Sequence, residues 1–199
     1  MPKKPPLQRP TQRQAEDAVK TLLGWIGEDA GRPGLRRTPA RVLGSFEDWY
    51  SGYAFDPYEV LGGSFQPVGK FDRIVTLCNI DFESHCEHHM APMIGTVHLA
   101  YAPRKRLAGI SKLVRVVEAY TRRLQVQERL TGEIAGCINH VLQPRGVAVV
   151  VEAQHHCMTT RGVHRANVRM VTSEMLGLFR TDDRLREEFL GATRGESGR

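Results

Sequence analysis

The stretch SHCEHHM, residues 84–90, concentrates side chains that bind metal ions or transfer protons. Within it, Cys86 and His89 have the spacing C-x-x-H, which lets two donor atoms from one turn reach the same ion. His85, Glu87 and His88 lie beside them. Two ligands do not complete a metal site, so the motif predicts a further donor elsewhere in the chain.

Cys157, in the stretch EAQHHCMTTRG, follows a predicted buried strand and is the candidate for the third ligand. Cys86, His89 and Cys157 would supply two sulfur donors and one nitrogen donor, a set that suits zinc. Three protein ligands leave one coordination position for water, as in catalytic zinc sites. The alternative is that Cys157 is a small buried apolar residue and that the histidines lie on the surface. Spacing alone leaves both interpretations open.

Further histidines flank the proposed ligands. His88 precedes one ligand and is expected to point away from it, which would free it as an acid or base, and His155 is placed similarly, two residues before Cys157. Each alone is more often a solvated or hydrogen-bonded histidine. We expect His85 to lie on the surface. His156 should point away from the site, because neighbouring residues on a strand face opposite ways.

The composition indicates what kind of chain must position these residues. The chain has 199 residues, of which 41% are hydrophobic and 25% are charged, the balance of an ordinary globular domain. No apolar run approaches the ~20 residues that a membrane span needs, and the basic N-terminus lacks the apolar segment of a signal peptide. We therefore expect a cytoplasmic protein with four reduced cysteines. The net charge of +6 favours an anionic partner, but no nucleic-acid recognition motif is present.

The pattern of apolar residues predicts an α+β fold. Residues 1–10 are rich in proline and basic residues and should form a flexible arm. Thr11 and Gln14 form a capping box that begins a helix, and Ser111 and Asp182 are predicted caps of later helices. RIVTLCNIDF, MIGTVHLAYAP, VAVVVEA and NVRMVTSEML are typical of strands. Because helices and strands do not alternate regularly, we predict an antiparallel sheet.

Read together, the motifs resemble GTP cyclohydrolase I. The similar stretches are SHCEHHMAPMIGTVHLAY, GISKLVRVVEAYTRRLQVQERLT, GVAVVVEAQHHCMTTRGV and VTSEMLGLFR, and the resemblance extends from about Thr11 over nearly the whole chain. This family of zinc enzymes converts GTP to 7,8-dihydroneopterin triphosphate and formate, the first step of tetrahydrofolate and pterin biosynthesis. Several long motifs in the family's order make the match specific.

The resemblance implies a fold and an assembly. The family has the tunnelling fold (T-fold), an antiparallel sheet with helices, and its members form homodecamers with active sites at subunit boundaries. By this resemblance, residues 11–56 are an N-terminal helical region and residues 57–199 are the T-fold domain. The number of subunits is not visible in the apolar pattern itself.

The resemblance also assigns roles to single residues. The family's zinc ligands fall on Cys86, His89 and Cys157, and its catalytic histidines fall on His88 and His155. Ser111 is a further implied catalytic residue, near the ribose. The implied substrate contacts are Gln127 and Glu128 for the guanine, and Ser111, Lys112, Arg115, Arg161 and Arg41 for the ribose and triphosphate side, Arg41 coming from a neighbouring subunit.

Elementary chemistry supports some of these roles. A helix that begins at a Ser111 cap would present backbone N–H groups to an anion, within reach of Lys112 and Arg115. Arg122 and Arg123 are expected to be surface or interface charges. The Glu128 carboxylate can accept two hydrogen bonds from the edge of guanine, although a surface glutamate paired with a neighbouring arginine is the plainer interpretation.

Other functions remain open from the sequence. A catalytically silent nucleotide-binding protein with the same fold would differ by binding GTP without turnover. A tunnelling-fold relative such as a nitrile reductase or a pterin synthase would lack the combination of CEHH with HHC that this chain carries.

Overall fold

A computed structural model describes residues 9–63, 65–69 and 73–194 and divides the chain into two compact units, residues 1–48 and 49–199. The predicted flexible arm, residues 1–10, lies largely outside the described residues. None of the described helices is long and apolar enough to cross a membrane.

The first unit contains helix α1, Gln12–Trp25, and most of helix α2, Thr38–Trp49. The capping box at the start of α1 is confirmed, because the Gln14 backbone N–H donates to the Thr11 hydroxyl and the Gln14 side chain accepts from the Thr11 backbone. This exchange satisfies two backbone N–H groups that the first helical turn leaves unpaired.

The second unit is built on a five-stranded sheet. After a 3-10 helix at Ser51–Ala54 it contains, in chain order, helix α3 (Pro57–Gly62), strands β1 (Gln66–Pro67), β2 (Val75–Cys86), β3 (Pro92–Ala102) and β4 (Arg106–Leu107), helix α4 (Ile110–Thr121), strand β5 (Leu124–Gln125), helix α5 (Gln127–Leu142), strand β6 (Gly146–His155), the helical turn α6 (His156–Thr159), strand β7 (Met170–Gly177), the short helix α7 (Leu178–Thr181) and helix α8 (Asp183–Arg194).

The sheet has the strand order β5-β2-β3-β6-β7. The pairs β2–β3, β3–β6 and β6–β7 are antiparallel, as the sequence predicts, and only the two-residue strand β5 pairs in parallel with β2. The register places His85 opposite Pro92 and Met93 opposite His155. The ends of β2 and β6 therefore lie together at one end of the sheet.

The main core lies between one face of the sheet and the helices α4 and α5. Alternate residues of β3 point into it, and both helices contribute the apolar stripes that the sequence predicts. Fully buried members include Met93, Val97, Leu99, Tyr101, Leu113, Val117, Leu130, Ile134 and Ile138. The other face is covered at one end by Phe179 and Phe189. The predicted Asp182 cap is confirmed, since it accepts from the backbone of Arg184 and Leu185.

One predicted cap is wrong. The N-cap of α4 is Gly109, and Ser111 is the second residue of the helix. The Lys112 backbone N–H donates to the Gly109 carbonyl, so the N-cap lies two residues before the serine and the helix begins one residue before it. At the second helical position the serine does not occupy the N-cap, so the preference of serine for that position does not determine where this helix begins.

Candidate active site

A tight turn between β2 and β3 carries Cys86, His88 and His89. The Cys86 backbone N–H donates to Ala91 and the Cys86 carbonyl accepts from Met90, at 2.9 and 2.8 Å. Met90 takes the left-handed backbone conformation that closes the turn. The turn thus joins two long paired strands and holds its three candidate residues over the end of the sheet.

The same turn is tied to α5. Glu87 forms an ion pair with Arg129, with 2.5 Å between the carboxylate and the guanidinium, and its backbone N–H donates to the Gln125 carbonyl. Arg129 therefore pairs with Glu87, not with its neighbour Glu128. This leaves the exposed carboxylate of Glu128 without the arginine partner that the plainer interpretation assigned to it.

Cys157 comes close to this turn from the end of strand β6. Strand β6 pairs with β3 up to His155, and the helical turn α6 then begins at His156 and carries Cys157. The ligand atoms of Cys86, His89 and Cys157 all lie within 4.8 Å of one another. Three residues distant in sequence thus form one group that could hold a metal ion.

The chemistry of this donor set fits zinc. Two sulfurs and one imidazole are borderline-soft ligands of the kind zinc binds. Burial raises the pKa of the Cys157 thiol, and the nearby Cys86 raises that pKa further. Two thiolates so close together repel each other, and a cation between them would remove that repulsion and favour their ionised forms.

His88 does not turn away from the ligands, contrary to expectation. Its Nδ1 lies 3.8 Å from the Cys86 sulfur, about as close as the Nδ1 of His89, at 4.0 Å. Both histidines sit in a turn, where neighbouring side chains do not alternate as they do on a strand. The ring of His88 is exposed and lies next to the metal-binding group.

His155 is the last residue of β6 and pairs with Met93, just after the turn that carries Cys86 and His89. Its Nε2 is 2.8 Å from the side-chain oxygen of Gln127, the first residue of α5. Burial lowers the pKa of His155, and the negative charge of Glu128 acts in the opposite direction. A lowered pKa favours the neutral imidazole, which can both take and give a proton.

Gln127 is fully buried and its side chain is bonded within the protein. Its amide nitrogen donates to the carbonyls of Val151 and Met170, and its oxygen faces His155. The backbone N–H of Gln127, at the first position of a helix, is one of the groups that a helix leaves without an internal partner.

Arg161 also reaches this group. Its Nη1 lies 2.9 Å from Nε2 of His89. The structure therefore brings together Cys86, His88, His89, Gln127, Glu128, His155, Cys157 and Arg161, all predicted from the sequence.

Ser111, Lys112 and Arg115 lie elsewhere. They occupy the first turns of α4, next to Ala108, whose backbone N–H donates to the Tyr101 hydroxyl. Tyr101 and Met93 lie eight residues apart on β3, roughly 25 Å at about 3.3 Å per residue. The opposite end of α4 is the one near the metal-binding group, since Ser84 donates to the Arg123 carbonyl. Within one chain, these three residues are therefore remote from Cys86.

Arg41 belongs to the first unit. It lies on α2, is exposed, and its carbonyl accepts from the Ser45 hydroxyl at 3.0 Å.

The expectation that His85 lies on the surface is wrong, and that for His156 stays a prediction whose stated reason does not apply. His85 is buried, with 4% of its surface exposed, and its ring packs 4.8 Å from that of Trp49. It is the last but one residue of β2, whose final three residues are all buried, and the rings of Trp49 and Tyr50 cover it. His156 begins a helical turn, so strand alternation does not determine where it points.

Arg123, expected to be a surface or interface charge, is half-buried and has a structural role as well. Its guanidinium donates to the carbonyls of Gly52 and Phe55 and lies over the rings of Tyr53 and Tyr120. A single arginine carries no periodic pattern, so nothing in the sequence marks this role. Gln127 as the partner of His155 was missed for the same reason.

Comparison with known proteins agrees with this geometry. The family model described as GTP cyclohydrolase I matches residues 15–194. Similar curated proteins named GTP cyclohydrolase 1 come from Maricaulis maris (50% identity, covering 92% of this chain and 89% of the relative) and Hyphomonas neptunium (47% identity, covering 96% and 92%). A third, from Sinorhizobium fredii, is 46% identical and covers 94% of this chain and 91% of the relative.

Among solved structures, the archaeosine synthase QueF-Like in the apo form aligns with 54% of this chain and 97% of its own, at 20% identity and a TM-score of 0.46. The family match covers almost the whole chain, including every strand and helix of the second unit. The chain therefore belongs to the GTP cyclohydrolase I family, whose fold is the T-fold.

Proposed function

We propose that this chain catalyses the hydrolysis and ring rearrangement of GTP to 7,8-dihydroneopterin triphosphate and formate, using zinc. It is then a hydrolase that acts on the C–N bonds of a cyclic amidine. The observation that carries the proposal is the convergence of Cys86, His89 and Cys157 beside two histidines, in a chain of this family. We expect the enzyme to act in the cytoplasm, where its thiols stay reduced.

Cys86, His89 and Cys157 would hold the metal. When bound, zinc acts as a Lewis acid that makes water a nucleophile at neutral pH. The substrate atom to be attacked is C8 of the purine, which is a poor electrophile until the ring is protonated.

His155 is the proposed acid that protonates N7 and so makes C8 more electrophilic. Its burial and its hydrogen bond to Gln127 hold the ring in one orientation. His88, which is exposed next to Cys86, is the proposed group for the proton transfers of ring opening and loss of formate. Ser111 would assist acid–base steps at the ribose, by family implication.

Guanine recognition would come from the start of α5. The exposed Glu128 carboxylate can accept from N1–H and the exocyclic amino group, a donor pair that adenine lacks. The Gln127 side chain is already bonded within the protein, so we propose that Gln127 contributes through its backbone N–H. An acceptor that bound adenine would bury and leave unpaired would cost roughly 1–3 kcal/mol.

We propose that the triphosphate is bound by residues from more than one copy of the chain. Arg161 lies beside the metal-binding group, but Ser111, Lys112 and Arg115 lie at the far end of the sheet. A complete site would form if a second copy brought its α4 N-terminus to the metal-binding end of the first, with Arg41 also supplied by a neighbouring subunit. We therefore propose a homo-oligomer, a decamer by family implication, with active sites at subunit boundaries.

The direct test is to incubate the zinc-loaded assembled protein with GTP and to measure formate and, after oxidation, the fluorescent pterin. Equal amounts of both products support the proposal. GTP binding without either product would identify a silent nucleotide-binding protein instead. ATP in place of GTP is the control for base specificity.

A further inference from the structure

The side-chain amide of Gln127 is surrounded by hydrogen-bond acceptors on one side. Its nitrogen lies 3.0 Å from the Val151 carbonyl, 3.1 Å from the Met170 carbonyl and 3.2 Å from the Thr172 hydroxyl oxygen. Carbonyl oxygens can only accept, so the amide atom that faces Val151 and Met170 must be the NH₂ group. If the amide were rotated by half a turn, its oxygen would face two carbonyl oxygens.

The Thr172 hydroxyl in this cluster donates its proton to Thr131 and not towards Gln127. The Thr131 hydroxyl donates to the Gln127 backbone carbonyl at 2.8 Å, and it lies 2.7 Å from the Thr172 hydroxyl. Because the one hydroxyl hydrogen of Thr131 is already donated to the Gln127 carbonyl, Thr172 must be the donor in the bond between the two threonines. Thr172 therefore offers only lone pairs to Gln127, and all three neighbours of the amide nitrogen are acceptors.

The orientation of the Gln127 amide determines which ring nitrogen of His155 carries a hydrogen. The amide oxygen is the atom 2.8 Å from Nε2 of His155, and an amide oxygen cannot donate. The hydrogen between the two residues must therefore belong to His155. A buried residue of α5 and the acceptors of β6 and β7 thus specify which nitrogen of the imidazole carries a proton.

We propose that Gln127 is a positioning residue that holds His155 in the tautomer with its proton on Nε2, so that Nδ1 is the nitrogen that exchanges a proton with the substrate. This role for the proton exchange rests on the proposed function. In the protonated state, the Nδ1–H bond breaks as the proton passes to a purine nitrogen, and the imidazole returns to neutral. The Nε2–H bond to Gln127 stays intact throughout.

The tautomer can be measured without any activity. Zinc-loaded, full-length protein with ¹⁵N-labelled histidine is studied by solid-state NMR at neutral pH, and the His155 signals are assigned by their loss in His155→Gln. We expect a protonated Nε2 and an unprotonated Nδ1 in the unsubstituted protein. The opposite tautomer would overturn the proposal, and this spectrum requires no substitution at residue 127.

Substitution tests the consequence for catalysis. Gln127→Met keeps the length of the side chain but removes the acceptor, so kcat should fall by about 10²-fold, within the range that general acid–base catalysis contributes, while KM for GTP stays within about threefold. In the NMR experiment the Nε2–H preference of His155 should be reduced. An unchanged kcat and an unchanged tautomer in folded Gln127→Met would overturn the proposal.

Thr121→Val is the control. Thr121 is also a buried polar residue whose side chain donates to a backbone carbonyl, that of Glu118, and it lies at the end of α4, outside the contacts of Gln127 and His155 described above. We expect this variant to keep the His155 tautomer and to keep kcat within about threefold. Formate production by the unsubstituted protein tests the proposed function separately, so an inactive parent and a wrong tautomer are distinguishable results.

Discussion

Five histidines fall in two short stretches, and their surroundings separate them. His85 is packed against Trp49, while His88 and His89 lie exposed in the turn beside Cys86. His155 is held by a buried glutamine, and His156 starts a helical turn. One side-chain type thus serves as a buried packing residue, a candidate ligand and two candidate proton carriers, according to burial and hydrogen bonding.

Metal binding should depend on Cys157. Cys157→Ala removes one of two sulfurs, and the remaining pair of ligands should hold zinc at least about 10²-fold more weakly. Metal analysis of the purified protein should therefore fall from about one zinc per chain to a small fraction of that. Cys78→Ala, which changes a half-buried cysteine of β2 outside the metal-binding group, is the control. Full zinc content in Cys157→Ala would contradict the proposed site.

Base selectivity should depend on Glu128. Glu128→Ala removes the acceptor for the guanine edge, so kcat/KM for GTP should fall by roughly 5- to 150-fold, equivalent to about 1–3 kcal/mol. Steady-state kinetics with GTP measures the loss. Glu187→Ala, at an exposed position on α8, should leave the kinetics unchanged. If both variants behaved like the parent, guanine would have to be recognised by other groups.

At the scale of elements, Arg123 connects α4 to the segment before α3. Gly52 lies so close to α4 that a Cβ atom there would be 2.6 Å from the Ala119 carbonyl. The Arg123 guanidinium then donates to the carbonyls of Gly52 and Phe55 at 2.9 Å each. A charged donor that satisfies two backbone acceptors fixes this segment against the end of α4.

Loss of this connection should lower stability. Arg123→Ala removes the charged hydrogen bonds to both carbonyls and leaves the Gly52 carbonyl with its longer bond from the Phe55 backbone N–H, so it should reduce the free energy of unfolding by about 2–3 kcal/mol. Denaturant unfolding of the assembled protein measures this change. Arg104→Ala, in the exposed turn after β3, should change stability by less than about 0.5 kcal/mol. Equal stabilities of the two variants would show that the Arg123 contacts contribute little.

His98 on β3 should make stability depend on pH. It is 3% exposed, its Nδ1 accepts from the Asn79 backbone, and burial lowers its pKa from 6.5, partly offset by Glu152, which is itself paired with Arg169. The unfolded chain therefore takes up the proton first, so stability should be lost as pH falls through about 6.5, and the loss should level off below the folded-state pKa.

The measurement compares unfolding free energies at pH 7 and pH 5. His98→Gln, which keeps an acceptor but cannot become charged, should lose less stability over this interval than the parent. His140→Gln, at an exposed position near the end of α5, is the control and should follow the parent. A parallel pH dependence in parent and His98→Gln would assign the effect to other groups.

At the scale of the whole molecule, the second unit has apolar surface on the sheet face away from the main core. Ile94 on β3 and Val171 on β7 are 45% and 57% exposed. Isolated apolar residues on a surface are ordinary, but these lie on one face of a sheet at the end that carries the metal-binding group. This position is consistent with the proposed packing of subunits around shared sites.

Shared sites predict complementation between inactive variants. Cys157→Ala lacks a metal ligand and Lys112→Ala with Arg115→Ala lacks triphosphate contacts, so each assembly alone should be inactive. If the two groups of residues in one site come from different copies, random co-assembly at equal amounts should restore about one quarter of the sites. Activity of co-refolded mixtures measures this. No activity in confirmed mixed oligomers would mean that one chain supplies both groups.

Much of this protein follows from local sequence. The capping box at Thr11, the cap at Asp182 and the strands β2, β3 and β6 follow from side-chain periodicity and hydrogen-bonding chemistry that act over a few residues. The spacing of Cys86 and His89 predicts a shared ligand position for the same reason. The resemblance to the family, which rests on long motifs, supported Cys157 as the third ligand and added the reaction.

Only the tertiary structure decided which distant groups meet. Strand register brings the end of β6, and with it Cys157, to the β2–β3 turn, while it places the start of α4 at the other end of the sheet. The tertiary structure also buries His85 and places the side-chain oxygen of Gln127 next to His155. Local periodicity cannot reveal these outcomes, because each depends on which backbone carbonyls and apolar faces a side chain meets after the strands have paired.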